Sequence, residues 1–166
     1  MKKQTSTIFD GLALIGSLFL GGNVLAQPGT IELSHKAEHW QTVIDDRGVE
    51  RIELAPSTRV LPGEEVLLTS TYTNTGEQPA EEVTITSPIP TEMVYVQDSA
   101  VGDNTSVQFS VDGGSSFAAS DELLVTDPDG TERLAGANDY THVRWVVSAD
   151  VLSGDSGSVQ FAAVVK

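Results

Sequence analysis

Three groups of residues in this 166-residue chain have the types and spacing to do chemistry. Ser156, between Gly154-Asp155 and Gly157, has the setting of a nucleophile: a hydroxyl on a tight glycine turn, reactive once a histidine base lies within hydrogen-bond reach and a carboxylate orients that base. Asp127, Asp129 and Glu132, with Gly130 among them, place hard oxygen donors at the short spacing of a calcium loop. His35 and His39, four apart, would share one face of a helix and could hold zinc. Each group also has a plainer reading. Calcium takes ~6–8 oxygens, and this segment lacks a third loop carboxylate and a distant bidentate glutamate, while Asp127-Pro128-Asp129-Gly130 is also a good β-turn. Lys36-Ala37-Glu38 supplies no His-Glu-x-x-His pattern, so the two histidines read as solvated side chains.

Gly154-Asp155-Ser156-Gly157 looks like the nucleophile loop of trypsin-like serine proteases, but the chain is far shorter than that double barrel and has no cysteine. No Ala-Ala-His-Cys-like segment surrounds His35, His39 or His142, and the same residues serve as a turn into a final strand. Ser110-Val111-Asp112-Gly113-Gly114-Ser115-Ser116-Phe117 resembles the Asp-box hairpin of sialidases and other propellers. That resemblance implies a well-made turn, in which the aspartate accepts backbone hydrogen bonds and the aromatic plugs the hairpin. No catalytic residue and no cofactor is assigned, and the chain is read as a non-enzyme.

The elements that must carry these turns are strands. Over residues 65–73, Val66, Leu68, Ser70 and Tyr72 fall on one face and Leu67, Thr69, Thr71 and Thr73 on the other, the period of two that a strand imposes. Asn74-Thr75-Gly76 and Pro79 turn the chain, and the β-branched run Val83-Thr84-Ile85-Thr86 restarts it until Pro88 and Pro90, so the stretch reads as a hairpin. Residues 49–55 read as a half-buried strand with Ile52 and Leu54 inward. Val107, Phe109 and Val111 form one face before Asp112-Gly113-Gly114; residues 123–126 are short; Val143, Trp145 and Val147, then Val159, Phe161, Ala163 and Val165, form two further inward faces. Trp145 is the expected anchor of the core. Turn signals recur every ~8–12 residues, the spacing of a sandwich or barrel. Only residues 31–43 stay ambiguous between helix and strand.

Pro62-Gly63, Tyr72-Thr73-Asn74-Thr75-Gly76, Pro79-Ala80, Val83, Ile85 and Pro88-Ile89-Pro90 resemble, in that order, the bacterial and archaeal "conserved repeat domain" family, the eleventh domain-of-unknown-function family. Residues 93–100 resemble its Tyr-Val-x-x-Ser-Ala segment, and residues 152–165 its closing Pro-Gly-x-x-Gly-x-Val-x-Phe strand, with Ser153 at the usual proline. The likeness covers most of residues 47–166. It implies an Ig-like module of exported and cell-surface proteins without known catalysis, usually repeated, whereas this chain carries one copy.

Lys2 and Lys3, the apolar residues 12–20 and Val24-Leu25-Ala26 read as a secretory signal peptide, with the exported chain beginning at Gln27. The apolar run is about half the ~20 residues of a membrane span, so no stable anchor is expected after cleavage. The expected organisation is therefore a signal peptide over 1–26, an N-terminal segment over 27–46 that can supply a first strand, and the sandwich over 47–166. Without Lys2, Lys3 and Asp10, seven basic residues face 23 acidic ones, a formal charge of −16 that excludes nucleic-acid binding by repulsion. With no cysteine, no disulfide supports the fold and hydrophobic burial must carry it. The sequence thus predicts an all-β, Ig-like, Greek-key antiparallel sandwich of about seven to nine strands. Its expected address is the periplasm, the cell surface or the extracellular space. The expected role is structural or protein-interacting, the partner being another envelope or surface protein. The alternative is a calcium-dependent adhesin or carbohydrate-binding module using the acidic turns and Trp40, Tyr140 and Trp145.

Overall fold

Alternation of apolar and polar side chains becomes a pair of antiparallel sheets sharing one core. A computed structural model describes residues 23–27, as backbone, and residues 30–166. Among them twelve strands follow in order: β1 (Asn23–Gln27), β2 (Ile31–Ile44), β3 (Glu50–Pro56), β4 (Glu65–Asn74), β5 (Glu81–Pro88), β6 (Met93–Tyr95), β7 (Val101–Gly102), β8 (Thr105–Ser110), β9 (Leu124–Thr126), β10 (Glu132–Leu134), β11 (His142–Val147) and β12 (Ser156–Val165). The excess over the seven to nine expected comes from β6, β7 and β10, pieces of two or three residues that are too short to show a period. The ambiguous residues 31–43 lie in β2, a strand, so His35 and His39 sit on one face of a sheet and share no helix.

One sheet runs β3-β2-β4-β12-β6, with β7 also on β12; a second runs β1-β5-β11-β8; β9 and β10 form a ribbon of their own. Val66, Leu68 and Tyr72 of β4 and Val159, Phe161 and Ala163 of β12 meet Val83 and Ile85 of β5 and Val143, Trp145 and Val147 of β11 in a single buried cluster. This all-β, sandwich-like arrangement follows from the period-two pattern, since each strand offers one apolar face and each sheet must cover it. Trp145 is 1% exposed and lies 6.1 Å, centroid to centroid, from Phe161 on the other sheet. Tyr95, Phe109 and Tyr140 continue the aromatic core, Phe109 and Tyr140 stacked at 4.3 Å.

Two expectations need correction. β4 and β5 do not pair as a hairpin; they belong to different sheets, and the segment between them is a corner. Asn74 builds that corner from within. Fully buried, it donates its amide to the carbonyls of Gln78 (2.7 Å) and Val151 (2.8 Å) and accepts from the Gly76 N–H (3.0 Å). Ala80 then bridges to Val151, which turns the chain into the second sheet. β3 is not half-buried either: Ile52 is 71% exposed. β3 pairs only with the far half of β2, from Glu38↔Pro56 to Ile44↔Glu50, whereas β4 pairs with β2 only as far as His39. The division drawn at residues 46 and 47 therefore falls in the turn of a β2–β3 hairpin.

Candidate interaction surface

The Asp-box-like segment folds as a self-contained turn. The Ser110 hydroxyl donates to Asp112 Oδ1 (2.7 Å), and that oxygen also accepts from the N–H groups of Ser115 (3.0 Å) and Ser116 (2.9 Å). The Ser116 hydroxyl donates to Oδ2 (2.6 Å), and these bonds, with the Ser116 hydroxyl foremost, hold the Asp112 carboxyl well below its usual range. Phe117 then lies under the Arg144 guanidinium, 3.4 Å from the ring centroid, and edge-on to His142. Every oxygen is spent on the turn, so the motif plugs the end of the four-stranded sheet.

The calcium candidates are divided among different partners. Both oxygens of Asp127 accept from Arg133 Nε at 3.1 Å, and the same guanidinium donates to Asp139 at 2.7 and 2.9 Å. The two carboxylates push Arg133 up, and Arg133 in turn holds Asp139 down. Asp129 accepts from the Thr131 N–H (3.0 Å), which lowers its pKa within the β9–β10 turn, and Glu132 is exposed at the start of β10. A guanidinium thus stands where the loop reading would put a cation, and among the described residues no three His, Asp or Glu side chains are gathered to hold a metal.

Ser156 is not joined to a base. Its hydroxyl meets Thr73 Oγ1 at 2.8 Å, while His35 lies against Ser70 Oγ (2.9 Å), His39 against Ser57 Oγ (3.3 Å) and His142 against Thr141 Oγ1 (3.2 Å). Gly157 has a packing reason to be glycine, because a Cβ there would run into the Tyr72 ring. Beside it a hollow of about 230 Å³ is lined by Asp103, Asn104, Asp150 and Asp155. Of the three aromatics considered for sugar stacking, Tyr140 and Trp145 are core residues at 6% and 1% exposure, and only Trp40 reaches solvent.

The feature that sequence reading missed is the β2–β3 arm. Beyond His39 the two strands run on without β4, closed by a turn in which Asp45 Oδ1 accepts from the N–H groups of Arg47 (2.9 Å) and Val49 (3.0 Å) and Gly48 takes φ 77°. Trp40 pairs with Leu54 and Thr42 with Ile52, with Ile44 next along, so these side chains share one face. The core lies on the other face of β2, through Ile31, Leu33 and Ala37, and the apolar stripe of the arm points outward. Trp40, Ile44, Ile52 and Leu54 are exposed by 55, 63, 71 and 37%. They amount to roughly 400–500 Å² of open apolar surface, the size of the largest patch on a typical monomer, which is often functional. Charge is distributed to match. Lys36, Arg47, Arg51 and Arg59 lie in residues 36–59 against five acids, so this segment is nearly neutral, and the other three basic residues of the chain after Ala26 face 18 acids. Alternation alone could not reveal the arm, since it shows that a face is apolar and not whether anything covers it.

No family model, curated protein or solved structure matches this chain.

Proposed function

We propose that the chain is an exported, non-catalytic Ig-like module of the conserved-repeat kind, a structural or protein-interaction component of the cell envelope. The observation that carries this reading is the β2–β3 arm: a two-stranded ribbon is marginal in water by itself, yet this one projects with an apolar face outward. Its partner is a protein face with an apolar patch. Lipid is the poorer fit, because Arg51 and Lys36 are already paired with Asp45 (3.1 Å) and Glu38 (2.8 Å) and the rest of the chain repels anionic surfaces. The leader-like residues 1–22 lie outside the described residues; export rests on their charge, apolar run and the small residues that follow. The Ig-like, Greek-key reading is supported by a chain that leaves one sheet at Asn74 for the other and returns to close β4 against β12.

A photo-cross-linking residue at Ile52, with Glu122 as an exposed control, tests this in envelope preparations. Adducts are expected at position 52 alone, and Ile44→Asp should abolish them without moving the melting midpoint. Equal labelling at both positions, or hydrolytic turnover that Ser156→Ala removes, would refute the reading.

A further inference from the structure

The four-stranded sheet ends on β1, and β1 spans the junction at which the leader is expected to be cut. β1 runs antiparallel to β5 with Asn23↔Thr86, Val24↔Ile85, Leu25↔Thr84 and Gln27↔Glu81. Cleavage after Ala26 removes all of β1 except Gln27. The side of β5 away from β11 then presents a row of unpaired backbone N–H and C=O groups, while the β11 side stays paired from Val146↔Thr84 to His142↔Pro88.

The features that usually blunt an exposed edge, proline, charge and a bulge, stand only at the two ends of β5. Pro88 closes one end, and the run Val83-Thr84-Ile85-Thr86-Ser87 between the ends contains no lysine and no proline. Val83, Ile85 and Ser87 face the core at 0, 0 and 1% exposure, which leaves Thr84 and Thr86 between them. The other end is irregular. The register slips between Leu25 and Gln27, and Glu82 opposite takes φ 52°, a left-handed conformation that a non-glycine residue adopts only under strain. Glu81 and Glu82 are both exposed there, and a hollow of about 520 Å³ lined by Glu82, Thr84, Ser148 and Asp150 opens beside them.

We propose that removal of the leader opens β5 as a strand-accepting edge, and that the exported chain receives there, antiparallel, an extended aliphatic segment of another protein that ends in a basic residue. This rests on the export reading above. The direction is that of β1, whose C-terminal end lies beside Glu81, so the incoming segment brings its own C-terminal end to Glu81, Glu82 and the hollow. Backbone pairing supplies affinity for any extended strand, and the carboxylates select a lysine or arginine at that end. While β1 is in place the edge is filled, so the chain is kept from pairing prematurely until it has been processed.

The test compares residues 27–166 with the full chain carrying Ala26→Leu, a substitution that blocks cleavage. Amide hydrogen exchange is read at Thr84 and Thr86, whose N–H groups face β1, with Ile85, which bonds toward β11, as the internal control, and two synthetic peptides are titrated: residues 21–30 and the same peptide with Gln27→Lys. Exchange at Thr84 and Thr86 is expected to be at least ten-fold faster in residues 27–166, with Ile85 little changed. Both peptides should restore protection, and the lysine peptide should bind several-fold tighter, an advantage lost at high salt or in the Glu81→Gln, Glu82→Gln chain. Equal exchange in the two chains, or β5 amides that neither peptide shifts, overturns the proposal. The mass of chain recovered from the envelope separates the two possible failures. If no chain begins at Gln27, the export reading and the opening step fall together; if one does and its β5 edge is inert to both peptides, only the acceptor falls.

Discussion

Trp145 offers the sharpest test of the core, because its two replacements should behave differently. The side chain is 1% exposed, and burial of an indole withdraws ~150–250 Å² from water, about 4–6 kcal/mol at the usual area coefficient. One part of the ring works against this: the buried Nε1–H meets no acceptor among the described residues, a penalty of ~1–3 kcal/mol. Trp145→Ala discards the burial, relieves the orphaned donor and leaves a cavity, for a net loss of ~3–5 kcal/mol. Trp145→Phe keeps most of the contact with Phe161, leaves a void of roughly 40 Å³ worth ~1 kcal/mol, and removes the donor, so its net cost should lie near zero. Urea unfolding followed by circular dichroism avoids the loss of the fluorophore, and a constant slope would confirm that only stability has changed. Against a typical domain stability of ~5–15 kcal/mol the alanine variant should be visibly crippled. A loss of ~2 kcal/mol or more for phenylalanine would show that the N–H is satisfied after all, and no loss for alanine would remove Trp145 from the core.

Gly157→Ala should lower the melting midpoint by several degrees, since the added Cβ meets the Tyr72 ring, and Tyr72→Ala in the same chain should blunt that additional loss; additivity of the two would show that they do not touch. Burial is the leading cause of a lowered pKa at both His35 and His142, so the folded chain favours their neutral forms. Between pH 6.5 and the lower folded values the unfolded chain binds more protons, so stability is full above 6.5 and falls as pH drops through that window. Thermal melts from pH 7.5 to 5 should show this, with a shallower fall in His35→Asn; a midpoint that rises on acidification over that range would contradict it.

How much of this was legible in the sequence depends on what a period of two can say. It states which side chains share a face: Val66, Leu68 and Tyr72 share one and are buried, and the inward faces expected of Val143 and Trp145 and of Val159 and Phe161 are buried too. It does not state which strand lies alongside. The runs on either side of Asn74 read as a hairpin because a tight hairpin and a corner between sheets both need a left-handed or Asx-stabilised turn between two apolar faces. What separates them is the fate of the asparagine side chain. On the surface of a hairpin it faces water, whereas here it is buried and bonded to Val151, 77 residues away, a long-range contact that no local pattern encodes. Ile52 and Leu54 failed for the complementary reason: their alternation is as regular as that of β4, yet β4 ends its pairing with β2 at His39 and nothing described lies over the arm. An apolar face without a cover costs a soluble chain stability and invites aggregation. That cost falls in a segment where charge is nearly balanced, on a chain that is strongly acidic as a whole, and this is the ground on which a partner is proposed for it.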